Sequence, residues 1–318
     1  MAHSSASVGA RPEPQSPSAP LWAGVLSALL LAAVQGPSPL PALAVAGPLP
    51  LMVQRLRGGL SGTLLGVVLA VALTGVAFPG WMPQVVAAGL LLPGLLVAES
   101  VARGRGLLRG CGWALAVVAA ILAVLLVGAA PRMELRLLEL LGLTAESLAR
   151  VRQQAPDGQL DELLAQAARL RDGLSVVLPA AWFVLGGLAV TLQAVLLRAW
   201  LARTDPGWLE GDELERLRWP LLLTVPFVLS GLCLLHEPLR RGAYNALLVL
   251  AFFFALQGLS VVAYVLRRLA GPPLFRAGLA ALVLLNPWAS QMLVLLGLFD
   301  QLADFRRWAD PPAGGDDE

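Results

Sequence analysis

The chain has 318 residues, 57% apolar and only 14% charged, with a formal net charge of +2 and a mean hydropathy of +0.73. Apolar runs of about twenty residues, the length a helix needs to cross a ~30 Å hydrocarbon layer, exclude an ordinary soluble domain. All 23 basic residues are arginine, so there is no lysine for a Walker A loop or a Schiff base, and so small a net charge does not point to nucleic acid.

Residues 1–19 are rich in Ser, Pro and Ala without apolar period and read as a disordered tail. Ala42-Leu43-Ala44 resembles a signal-peptide cleavage site, but the apolar character continues across it, which argues against a removed leader. The hydrophobic pattern predicts an all-α polytopic bundle of eight or nine spans, near 21–35, 39–54, 59–78, 81–99, 110–130, 174–198, 219–235, 243–266 and 278–299. The second is the weakest. Pro37, Pro39, Pro41, Pro48 and Pro50 crowd it, and each removes a backbone donor that lipid cannot replace, so a broken or re-entrant segment is expected there.

This divides the chain into a first bundle of about five spans over 20–131 and a second of about four over 173–299, followed by a polar tail at 300–318. Between the bundles, 132–172 carries leucines at helical spacing, interrupted at Gly142-Leu143-Thr144 and Pro156-Asp157-Gly158. It reads as two or three short amphipathic helices on the membrane surface, or as a plain solvated connector. Arginine placement favours a cytoplasmic N-terminus. Arg55, Arg57, Arg103, Arg105, Arg109, Arg198, Arg203, Arg216, Arg218, Arg267, Arg268 and Arg276 then fall inside. With nine spans Arg240, Arg241, Arg306 and Arg307 fall outside, and eight spans suit the tail arginines better.

Small residues recur every fourth position as Gly24, Ala28 and Ala32 in the first span, and as Gly58, Gly62, Gly66 and Ala70 in the third. Such faces let helix backbones approach closely, either within the bundle or against a partner subunit. Later, Phe253, Gln257, Ser260 and Tyr264 share one helix face, and Asn286, Ser290 and Gly297 share another with Gln291 beside it. Amides are costly in hydrocarbon unless paired, so both stripes are expected to face the interior, as a solute pathway or as interhelical glue. Glu99, closing the fourth span near Arg103 and Arg105, reads as a surface ion pair or as a coupling carboxylate.

Catalytic signatures are missing. There is no HExxH, GxSxG or CxxC, and the spans hold no Ser/His, paired-Asp or metal-ligand set for intramembrane hydrolysis. Cys111 and Cys233 lie in apolar runs, and the two histidines are His3 in the tail and His236 beside Glu237. No cofactor, metal or enzymatic activity is expected. The distant exception is a lipid or envelope enzyme using Glu99, Asp300 or His236.

The C-terminal third reads Phe253-Phe254-Ala255-Leu256-Gln257-Gly258-Leu259-Ser260, and later Leu296-Gly297-Leu298-Phe299-Asp300-Gln301-Leu302-Ala303-Asp304-Phe305-Arg306-Arg307. The pair resembles the YybS-like family of bacterial multi-pass membrane proteins of unknown function, in which an FxxQGLS-type stretch precedes a closing LGLxDxxxDFR signature. The resemblance covers roughly 20–308, with the first half matching mainly in layout. It implies a protein of the bacterial cytoplasmic (inner) membrane with signature positions Gln257, Gly258, Gly297, Asp300, Asp304, Arg306 and Arg307. The first half is also similar in style to the substrate-binding components of energy-coupling-factor transporters. The 132–172 insertion and at least two extra spans depart from those. That similarity implies a solute-binding membrane component energised by a partner ATPase; a scaffold for envelope or division proteins is the alternative. The lipid bilayer is the one partner expected under every reading.

Overall fold

A computed structural model describes residues 18–32, 40–77, 81–140, 159–209, 217–268, 287–303 and 305. Eight α-helices carry them: α1 (Ala19–Ala32), α2 (Leu49–Ala77), α3 (Trp81–Ala102), α4 (Leu107–Leu140), α5 (Gln159–Thr204), α6 (Thr224–Cys233), α7 (Arg240–Arg268) and α8 (Pro287–Ala303). Short 3-10 turns at Leu40–Ala46, Pro206–Leu209, Leu221–Leu223 and Glu237–Leu239 complete the described structure, which contains no strand. Helix is the expected outcome where apolar side chains leave the backbone to satisfy its own polar groups.

Four helical stretches among the described residues are long and apolar enough to cross a membrane: Leu43–Ala77, Leu107–Val124, Val176–Thr204 and Glu237–Arg268. Three shorter apolar helices accompany them at Ala19–Ala32, Ala87–Ala102 and Leu221–Cys233. The chain forms two compact units, Met1–Ile121 with Leu185–Asp212, and Leu122–Val184 with Glu213–Glu318. The divisions fall inside α4 and α5, and the boundaries expected at 131/132 and 172/173 also lie within these continuous helices. Residues 132–140 prolong α4, and 159–172 open α5. Leucine spacing alone cannot distinguish a separate amphipathic helix from the polar end of a long one. The expected breaks at 142–144 and 156–158 lie outside the described residues.

In the first unit, α2 is not one rod. Gly59 has φ +79° and ψ −176°, a conformation that essentially only glycine adopts. In a straight helix Leu51 and Gly66 would stand about 22 Å apart at 1.5 Å per residue. Instead, a Cβ placed on Gly66 would lie 2.6 Å from Leu51 Cδ2, and one on Gly62 3.0 Å from Gln54 Nε2. The chain therefore doubles back at Gly59 into two antiparallel arms, 49–58 and 60–77. The second arm is long enough, at about 27 Å, for most of a hydrocarbon layer. The proline-crowded second segment is thus a 3-10 turn followed by a short helical arm.

α1 packs along the 60–77 arm in parallel. Pro20 meets Gly62, and Gly24 meets Gly66 with its Cβ position 2.7 Å from the Gly66 carbonyl oxygen. Ala28, Leu31, Leu51, Ala70, Ala87 and Leu91 close the apolar core of this region. The two small-residue faces expected from the sequence therefore spend themselves on each other. Gly58 precedes the reversal and is half-buried. α3 contains Pro93, and the buried Gln193 of α5 donates to the Leu90 carbonyl at 3.3 Å in the same turn. Gly94 makes the approach possible, since a Cβ there would stand 2.9 Å from Gln193 Oε1.

In the second unit, Asn245 of α7 stitches α5 beside Pro179. Its Oδ1 accepts from the Ala180 N–H at 2.9 Å and its Nδ2 donates to the Val176 carbonyl at 2.7 Å. α7 and α8 cross at two glycines. A Cβ on Gly258 would fall 2.0 Å from the Leu293 oxygen, and one on Gly297 2.0 Å from the Phe254 oxygen. Nothing larger than hydrogen fits, so these two signature positions serve backbone-to-backbone packing.

Candidate functional site

Close approach of α7 and α8 brings their polar side chains within bonding range. One turn along α8 from Gly297, Asp300 is 1% exposed, and Gln257, beside Gly258 on α7, is fully buried. Gln257 Nε2 donates to Asp300 Oδ2 at 3.0 Å. Gln257 Oε1 accepts from the backbone N–H of Trp219 at 3.2 Å and from Gln301 Nε2 at 3.3 Å. Gln301 Nε2 also reaches the Trp219 carbonyl at 3.4 Å, while its Oε1 accepts from the Thr224 hydroxyl at the start of α6. Ser260 donates to the carbonyls of Gln257 and Leu217 at 2.8 and 3.2 Å.

Residues 217–224, α7 and α8 thus converge on a single carboxylate-centred network. Aromatic rings cover it: Trp219 stacks edge-on against Phe253 at 5.0 Å, Phe227 against Phe254 at 5.1 Å, and Phe183 lies 5.9 Å from Phe253. The Trp219 indole N–H is buried without an acceptor among the described residues. Amides, hydroxyls and one carboxylate in an apolar shell can bind protons, cations or polar solutes.

Gln257 and Ser260 are therefore interior, as their stripe implied, while Phe253 and Tyr264 are half-buried on the same helix. The other stripe is different. Ser290 and Gln291 are exposed near the start of α8, and Asn286 lies outside the described residues. What faces Gln257 is Asp300 with Gln301, two to three turns further along α8. Asp304, Arg306 and Arg307 lie outside the described residues. Gln301, Thr224, Gln193 and Asn245 escaped sequence reading; the adjacency of two polar residues, Asp300-Gln301, within an apolar helix was the available signal for the first.

A second polar cluster closes one end of the first unit. Glu99 of α3 pairs with Arg55 of the 49–58 arm and with Arg103 Nε at 2.6 Å. Nearby on the same arm, Arg57 lies over the Trp200 ring at 4.7 Å. Arginines from two separate stretches, Arg55 and Arg57 on the arm and Arg103 at the end of α3, thus share one end of this unit. His236 lies in an exposed turn, Cys111 and Cys233 are half-buried thiols outside any disulfide, and no metal-holding group of three or more His, Cys, Asp or Glu occurs among the described residues.

A family model described as a predicted membrane protein (DUF2232) matches residues 24–301. No curated protein and no solved structure matches the chain.

Proposed function

The chain belongs to the DUF2232 family of predicted membrane proteins, and from that premise we propose that it is the solute-binding component of a transporter of the bacterial inner membrane. The observation that carries this reading is Asp300, a carboxylate sealed among helices and bonded to Gln257. An ionisable side chain at such a place costs several kcal/mol to bury and is retained in membrane proteins chiefly for solute, ion or proton handling. The unaccepted Trp219 indole N–H beside it offers a donor to an incoming ligand. With no lysine for a nucleotide loop, energy comes from a partner ATPase subunit. The reversal at Gly59 supports treating the two arms of α2 as separate segments of an eight- or nine-span bundle, and arginine placement in the short loops favours the N-terminus inside.

Thermal unfolding of the purified protein against vitamins, nucleobases and metal ions tests the site. A ligand that raises the Tm of wild type and not of D300N supports the reading. No shift across the panel, with no ATPase recovered on affinity purification, ends it. An envelope scaffold stands second because the small-residue faces that suggested partner docking, on α1 and on the 60–77 arm of α2, are occupied by packing against each other.

A further inference from the structure

We propose that the cavity at the α3–α4 turn binds the headgroup of an anionic phospholipid, a site independent of the Asp300 network. The cavity measures about 170 Å³ and is lined by Leu96, Glu99, Ser100, Arg103, Arg105 and Trp113. Its acid does not repel an anion, because Glu99 is held by both Arg55 and Arg103. Arg55, Arg103 and Arg105 against one Glu99 leave the rim cationic. Arg103 keeps a side chain 57% exposed despite its ion pair. Arg105 is exposed and has no carboxylate partner among the described residues. Ser100 shapes the turn, donating to the Gly106 carbonyl at 2.8 Å while its own carbonyl accepts from the Arg105 N–H at 2.9 Å.

The rest of the lining is apolar. Leu96 lies six residues before the end of α3 and Trp113 six residues after the start of α4, so each stands about 9 Å along its helix from the turn that carries Arg103 and Arg105. Trp113 is 62% exposed, an apolar ring with a polar edge of the kind that sits at the headgroup level. A cationic rim running into an apolar floor fits a molecule with a phosphate at one end and acyl carbons at the other. A free phosphate would use the rim alone. Juxtamembrane arginines attract anionic lipid strongly enough that each is worth roughly fivefold in affinity.

The test uses the full chain in detergent, with binding read by native mass spectrometry and by thermal shift. Phosphatidylglycerol, phosphatidylcholine and glycerol 3-phosphate are titrated separately. The expected result is retention and stabilisation by phosphatidylglycerol alone, roughly fivefold weaker in R105Q and also weakened in W113A. Both positions are exposed, so the lipid-free Tm of each variant should match wild type and separates lost binding from lost folding. Equal binding of phosphatidylcholine, saturation by glycerol 3-phosphate at the same concentration, or wild-type affinity in R105Q overturns the proposal.

Discussion

Gly258 and Gly297 meet face to face where α7 crosses α8: a Cβ on Gly297 would stand 2.9 Å from the Gly258 backbone nitrogen. This contact sets the separation at which Gln257 and Asp300, in the adjoining turns, bond at 3.0 Å. Packing and polar chemistry are therefore one feature. Forcing the helices apart would break the network without touching any of its side chains.

G258A and G297A should each destabilise by at least the ~1–3 kcal/mol typical of overpacking, because the obstacle is backbone rather than a movable side chain. G231A is the control, since a Cβ there meets nothing within 4 Å. Thermal unfolding in detergent compares the three; equal Tm values for G258A and G231A would contradict the crossing described.

Substitution at Asp300 should separate structure from chemistry. D300A strands the Gln257 amide donor and should cost about 1–3 kcal/mol. D300N retains an acceptor of the same shape and should cost less than about 1 kcal/mol, in keeping with hydrogen bonds measured between membrane helices. A denaturation series on both variants checks the order, and the reverse ranking would mean that charge, not hydrogen bonding, holds the site.

Gly59 offers a purely conformational test. Nothing lies within 4 Å of its Cβ position, so any loss in G59A comes from φ +79°. The expected cost is ~1–3 kcal/mol, the usual strain for a side chain forced into such a conformation. If G59A unfolds with wild-type stability, the two arms of α2 do not turn there.

E99Q removes the partner of both Arg55 and Arg103. The paired Arg55 and Glu99 side chains are 17% and 21% exposed, between the fully solvated and fully buried limits of ion-pair energetics. A loss of about 1–3 kcal/mol follows. Added salt should narrow the gap between wild type and E99Q, since the pair is partly screened. A gap that stays constant from low to high salt would assign the loss to packing.

Much of the interior was legible in one dimension because lipid punishes polar groups. Gln257 and Ser260 announced themselves as interior by helical spacing, and Gly24, Gly62 and Gly66 as packing positions by their four-residue repeat. Ser290 and Gln291 were misassigned by the same reasoning. Polarity near a helix end is compatible with exposure, whereas Asp300 and Gln301, deeper in α8, had no such outlet. Asn245 and Gln193 were invisible because their partners, the turns at Pro179 and Pro93, lie 65 and 103 residues away in sequence.

By itself the amino-acid order determined that the chain is helical, lipid-embedded and without lysine chemistry, because hydrophobic length and residue type are local properties. Which polar groups meet depended on long-range geometry: a reversal at Gly59, and two glycines letting α7 and α8 touch. Only the folded chain decided that Asp300 faces Gln257, since a pairing across 43 residues depends on where the helices cross.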